Sequence, residues 1–339
     1  MKKLSETYKL WLIIRAREEL LKKKKKNRDH SKNKERNAFK LINNLDIENN
    51  FEETISNLIS VEKYLAEDQK AHTRLVDFRP LKNITTSSAL ILASLFDRNM
   101  RFRNQRGENI GPALYKYKEW EKGILTKLND IGLLDFLATR KPKKLQHTIS
   151  EEKYIRFRSA KNVKGAVINE LQDDISKIIP IPHKKALYAG LSEATINSHQ
   201  HAYPNGEEKN WWISSSYSDE KKELTVIAYD AGVGIPATLP RNFTETLEVI
   251  FTRKKIKDND SNRIKVATEL KKSRTKEDNR GNGLQDIKNY IYINKNGVLK
   301  IYSSKGEYQY IVRDGIESEK LNEHITSLKG TLIEWKVTV

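Results

Sequence analysis

The chain of 339 residues contains no cysteine. That absence excludes a disulfide framework, a thiolate metal site and a cysteine nucleophile, and it fits a cytoplasmic address. Long apolar runs are also missing: none approaches the roughly 18 residues needed to cross a bilayer, so no membrane insertion is expected. The apolar stretch Leu10–Ile14 is too short for the core of a secretory leader and gives way at once to Arg15 and Arg17. Glycine and proline are absent from residues 1–70, which removes the usual helix breakers there.

What is present is charge. Asp, Glu, Lys and Arg make up 32% of the chain against 37% hydrophobic residues, and the formal net charge is +18. Residues 1–40 hold 15 Lys or Arg against 5 Asp or Glu and so contribute +10. Such a segment attracts polyanions, which makes residues 1–40 a candidate nucleic-acid contact; a solvated basic helix is the plainer alternative. Three stretches differ in character: a basic helical arm over 1–70, a small α/β domain over 71–145 and a third domain over 146–339. In the second, Leu75–Phe78 reads as a short buried strand closed by Pro80, and Ser88–Phe96 and Tyr117–Leu128 read as helices. The order of these short apolar blocks resembles a STAS-like segment, and Lys141-Pro142-Lys143-Lys144 reads as a linker.

The third stretch carries four blocks in order. The first is Leu191-Ser192-Glu193-Ala194-Thr195-Ile196-Asn197-Ser198-His199-Gln200-His201-Ala202. On a helix Glu193 and Asn197 leave the same face, where an amide oxygen suits Mg²⁺ and a carboxylate can take a proton from water. His199 and His201 have no third ligand in view and read as packing or capping residues. The second block, Tyr229-Asp230-Ala231-Gly232-Val233-Gly234-Ile235-Pro236, follows an apolar strand. A carboxylate there can accept the exocyclic amine of adenine, and the glycines let the main chain turn closely beneath a nucleotide. The third, Arg280-Gly281-Asn282-Gly283-Leu284, opens a predicted helix and offers amide groups to phosphate; it is neither of the two common phosphate loops. The fourth, Gly330-Thr331-Leu332-Ile333-Glu334-Trp335, enters a terminal strand, and its threonine hydroxyl can meet the same adenine or the carboxylate that reads it.

Taken together, the blocks resemble the GHKL (Bergerat-fold) ATPases over residues 160–339. The resemblance implies a two-layer α/β sandwich with a mixed, largely antiparallel sheet and helices on one face. It implies ATP and Mg²⁺ as cofactors, Glu193 as the catalytic carboxylate and Asn197 as the magnesium ligand. Asp230 and Thr331 would bind adenine, Gly232 and Gly234 would floor the pocket, and Arg280, Gly281, Gly283 and Leu284 would form the phosphate end. The mobile lid of that family matches Pro236–Arg280, in which residues 253–280 carry 11 Lys or Arg against 5 acids; Arg274 and Arg280 are the candidates for meeting the γ-phosphate.

A lysine that a following domain supplies in gyrase and the mismatch-repair proteins finds no counterpart within these residues, so slow turnover is expected. The leading expectation is a Mg·ATP-dependent switch acting on a protein or nucleic-acid partner in bacterial signalling or defence, with a homodimer left open. Two alternatives stand beside it. One is a serine or histidine protein kinase of the anti-sigma or two-component type acting in trans. The other is a nucleic-acid-binding module regulated by ATP through residues 1–40 and the basic lid.

Overall fold

The computed structural model describes residues 19, 38–67, 75–107, 113–114, 116–136, 152–204, 209–239, 251–253, 255–269 and 284–339. The apolar stripe of residues 8–20 (Glu19 apart), the Lys22–Lys26 run and the linker at 141–144 lie outside them. So do the expected divisions at 70/71 and 145/146.

The N-terminal part is built on helices α1 (Phe51–Ala66) and α2 (Thr86–Gln105). Ahead of α1, the expected helix gives way to two short strands, β1 (Phe39–Lys40) and β2 (Asn44–Leu45). β3 (Leu75–Asp77) runs parallel between β1 and β5 (Ala113–Leu114), and β4 (Asn83–Ile84) pairs with β2. Parallel neighbours need long crossovers, and here helices supply them. Thr85 caps α2 by accepting the Ser88 amide at 3.3 Å. The helix continues nine residues past the expected Phe96 because its last turns are held by polar pairing with the neighbouring sheet, which hydrophobic periodicity does not reveal. α3 (Lys122–Asp130) starts later than expected; the Glu121 carboxylate caps its first amides, and a single 3₁₀ turn over Tyr117–Glu119 precedes it.

The C-terminal part is a five-stranded sheet in the order β6 (Glu152–Ala160), β7 (Trp211–Ser218), β8 (Glu223–Asp230), β10 (Ile316–Thr338), β9 (Gly297–Arg313). Every pairing in it is antiparallel, where a mixed sheet was expected. Tight turns at 219–222 and 314–315 join neighbouring strands, and a short hairpin connection leaves only the antiparallel arrangement. The segments 298–303 and 308–312, expected as two strands, are one strand, and β10 begins at Ile316 instead of near Thr331. The result is a long hairpin closed at Asp314-Gly315, with Gly315 at φ +78°.

Alternate residues of these strands face two cores. On one face Trp211, Val226, Ile301, Ile333 and Trp335 pack against α4 (Gly165–Ser176), α5 (Lys184–Asn197) and α7 (Leu284–Asn294). This is the α/β sandwich. On the other, Trp212, Ile227, Tyr229, Tyr302 and Leu332 share a core with Leu58, Ile91 and Leu95 of α1 and α2, so the N-terminal helices cover the face left open by α4, α5 and α7. Trp211, Trp212 and Trp335 are all core residues, as their setting in the sequence implies. Polar contacts cross the second face as well. The Trp212 indole donates to Asp97 at 2.8 Å, Ser87 reaches Glu334, and Glu48 bridges Lys300 and Lys336.

Within the expected lid, α6 (Asp260–Glu269) is not a free loop. Ile264 and Val266 are buried, Glu323 accepts the Asp260 and Ser261 amides, and Lys265 pairs with Glu319 at 2.7 Å. The extended hairpin, unforeseen in the sequence, supplies the surface on which this helix rests.

Candidate functional site

The site forms where β8 ends. Asp230 is the last residue of that central strand and stands opposite Trp211 on one side and Thr331 on the other. Its side chain is 6% exposed. Oδ1 accepts the Gly232 amide at 2.9 Å and Oδ2 lies 3.1 Å from the Ser198 hydroxyl, and the nearby Thr331 backbone also favours the ionised form. Burial penalises the charge more than these donors repay it, and the carboxyl is pushed up to about 6.

Backbone crowding explains the glycines. A Cβ on Gly232 would stand 2.3 Å from the Ala202 carbonyl oxygen, which itself accepts the Val233 amide at 2.9 Å. Gly330 has φ +85°, and a Cβ there would come within 1.9 Å of the Asp230 carbonyl oxygen. Gly234, at φ +84°, lies beside Ser303, whose hydroxyl accepts the Ile235 amide and sits 3.0 Å from the Thr331 hydroxyl. Ser303 also donates to the Gly330 carbonyl at 2.9 Å. The second and fourth blocks are thereby joined in one compact turn system around Asp230.

The first block meets them through its helix. α5 carries Glu193, which is buried, and Asn197, which is half-buried with its Nδ2 sealed from solvent and making no hydrogen bond among the described residues. The helix then widens into a π-helical turn over Ser198–Ala202. That irregularity aims Ser198 at Asp230 and brings the Ala202 carbonyl onto the glycine loop; such bulges recur at functional sites. Among the described residues no group of three or more His, Asp or Glu side chains could hold a metal ion, and His199 instead has Nδ1 3.2 Å from the Lys161 carbonyl oxygen.

Of the third block only Leu284 is described; it opens α7 and packs on the helix-side core. Arg280, Gly281 and Gly283 lie outside the described residues, as does Arg274. The start of α7 rests on α5, with the Asp286 carbonyl oxygen 3.4 Å from the position a Cβ would take on Gly190, one turn before Glu193.

Three participants were not singled out in the sequence. Ser198 lies inside the first block, and a serine directly after the Asn was the available signal. Ser303 has no local signature; only the register of β9 against β10 puts it opposite Thr331. Tyr203 is the third, with its hydroxyl accepting the Ala231 amide at 3.1 Å.

No family model matches the chain, and no curated protein does. Among solved structures, the chain is similar to the ATP-binding domain of topoisomerase IV from Francisella tularensis, solved in complex with a small-molecule inhibitor. The identity is 12%, the TM-score is 0.23, and the match covers 53% of this chain and 41% of that one. The chain thus spans about two-fifths of the length of the structure it matches.

Proposed function

We propose that the turn system around Asp230 binds ATP, and that the chain works as a slowly hydrolysing, nucleotide-dependent switch for a partner. The single observation that carries this reading is the environment of Asp230: a buried carboxylate held by one backbone amide and one hydroxyl, at the end of a central strand, beside three glycines whose backbones admit no side chain. A carboxylate so placed favours a ring that presents an amine and disfavours guanine, whose oxygen at the equivalent position would face it.

The donor set on α5 suits magnesium. Asn197 offers a hard amide oxygen, and Mg²⁺ takes oxygen ligands while keeping several waters. Such an ion, bound with the nucleotide, would neutralise charge on the phosphate oxygens. Glu193, four residues before Asn197 on the same helical face, would orient the attacking water and take its proton. Thr331 and Ser303 would hold the adenine end through their hydroxyls, and the Arg280–Leu284 segment would meet the phosphates.

The +10 charge of residues 1–40 supports an acidic partner, either a protein or a nucleic acid. Isothermal titration with ATP and with GTP in magnesium buffer tests the nucleotide reading: selective ATP binding is expected, and no binding of either ends it. Incubation with labelled ATP then separates the destinations of the phosphate, since free phosphate marks an ATPase and labelled protein marks a kinase.

A further inference from the structure

Behind Asp230, on the side facing the N-terminal helices, a run of buried and half-buried polar groups connects α2 to the nucleotide turn. Asp97 accepts the Trp212 indole and both of its oxygens hold Nε of Arg101 at 3.0 Å. The Arg101 guanidinium then forks: one arm donates to the Asn210 side-chain oxygen at 3.0 Å and the other to the Ser159 hydroxyl at 2.8 Å. Asn210, 4% exposed, offers its main-chain carbonyl to the Tyr203 hydroxyl. Tyr203, itself 7% exposed, accepts the Ala231 amide at 3.1 Å. Ala231 is the residue between Asp230 and Gly232.

We infer that Tyr203 is a positioning residue for the base-reading carboxylate, and that Arg101 of α2 sets it in place through Asn210. The inference rests on the nucleotide reading above. Its physical content is local. The Ala231 amide donates to the Tyr203 hydroxyl and would be buried without that partner if the hydroxyl were missing, which is costly enough to turn the peptide. The adjoining Gly232 amide is the donor to Asp230 Oδ1, so a shift of this peptide moves the carboxylate that meets the base. Arg101 bonds Asp97, Asn210 and Ser159, and it is through Asn210 that its fork reaches Tyr203. Its planar, two-armed geometry is what lysine cannot reproduce.

The test is titration of ATP and GTP, each with magnesium, into the full chain and into Tyr203→Phe, Arg101→Lys and Tyr154→Phe. Tyr154 is a comparable buried tyrosine paired with Glu152 at the far end of the sheet. Tyr203→Phe is expected to weaken ATP about tenfold and to narrow the preference for ATP over GTP. Arg101→Lys is expected to act in the same direction, about threefold. Tyr154→Phe should lower thermal stability while leaving the ATP-to-GTP ratio unchanged. An unaltered ratio and affinity in Tyr203→Phe, with wild-type binding intact, overturns the inference alone. Absence of nucleotide binding by the wild type overturns the underlying reading and this inference with it. If Tyr203→Phe does not fold, Arg101→Lys decides by the same ratio.

Discussion

The Ser198 hydroxyl lies 3.1 Å from Oδ2 of Asp230 and 2.9 Å from the Ala194 carbonyl oxygen. One proton serves two acceptors, so the contact ties the end of a helix to the end of a strand while leaving Asp230 poorly compensated. That relationship governs how the site responds to pH and to substitution.

Nucleotide affinity should rise with pH through about 6 and level off above it. The carboxylate must be ionised to accept an amine, and burial holds its pKa above the ordinary value of 3.8. Titrations between pH 5 and 8 check this. Ser198→Ala removes a donor to the ionised form and should move the edge upward by about half a unit to one unit.

Asp230→Asn should abolish ATP binding while leaving thermal stability at pH 7.5 unchanged or higher. The sign follows from linkage. The folded pKa is raised, so the folded state binds more protons between the two values, and stability falls as pH rises through that window. Above about 6 the ionised group is a net cost of up to about 3 kcal/mol, which a neutral side chain relieves. Calorimetry of the pair, with and without ATP, measures both effects.

Glu193→Gln should retain ATP binding and reduce hydrolysis about 10²–10⁴-fold, the usual worth of a general base. Asn197→Ala should instead weaken binding in magnesium buffer and leave it unchanged in EDTA. Single-turnover phosphate release and titration in the two buffers separate these roles.

Gly330→Ala should destabilise the chain by about 3–5 kcal/mol, from a left-handed backbone angle plus collision with the Asp230 carbonyl. Gly315→Ala has a similar φ of +78° with nothing within 4 Å of the new methyl; it should cost only about 1–2 kcal/mol. Urea denaturation of both compares crowding with backbone strain directly.

Glu48→Ala should cost about 3 kcal/mol, because it strands Lys300, which is 6% exposed, without its carboxylate. In the wild type the lysines around Glu48 hold its carboxyl down at about 2 against burial. Its stabilising contribution is therefore present above the ordinary value of 4.5 and is lost as pH falls toward 2. Acid unfolding of the wild type, compared with the variant, should show that loss only in the former.

Much of the site was legible because each block couples a chemical group to its own backbone device. Glu193 and Asn197 share a helical face by spacing alone, and Asp230 precedes glycines that a sharp turn requires. The strands around Trp211 and Leu224 announce themselves by short runs of aromatic and β-branched residues bounded by polar turns. Ser303 and Tyr203 were not legible, since their roles come from strand register and from a carbonyl at Asn210 that no local pattern marks. The long β9–β10 hairpin was also missed: the first half of β10, residues 316–327, is polar and largely exposed, so on that strand the hydrophobic signal starts well after the hydrogen-bond ladder does.

Sequence alone determined the helical face of Glu193 and Asn197, the strand that ends at Asp230 and the positions where only glycine fits, because these depend on residues within a few steps of one another. Tertiary structure decided that the first, second and fourth blocks meet, through Ser198 on Asp230 and Ser303 on Thr331. It also decided that the second face of the sheet is closed by α1 and α2. Contacts such as Trp212 with Asp97 join residues over a hundred positions apart, and proximity of that kind is created by packing, not by local preference.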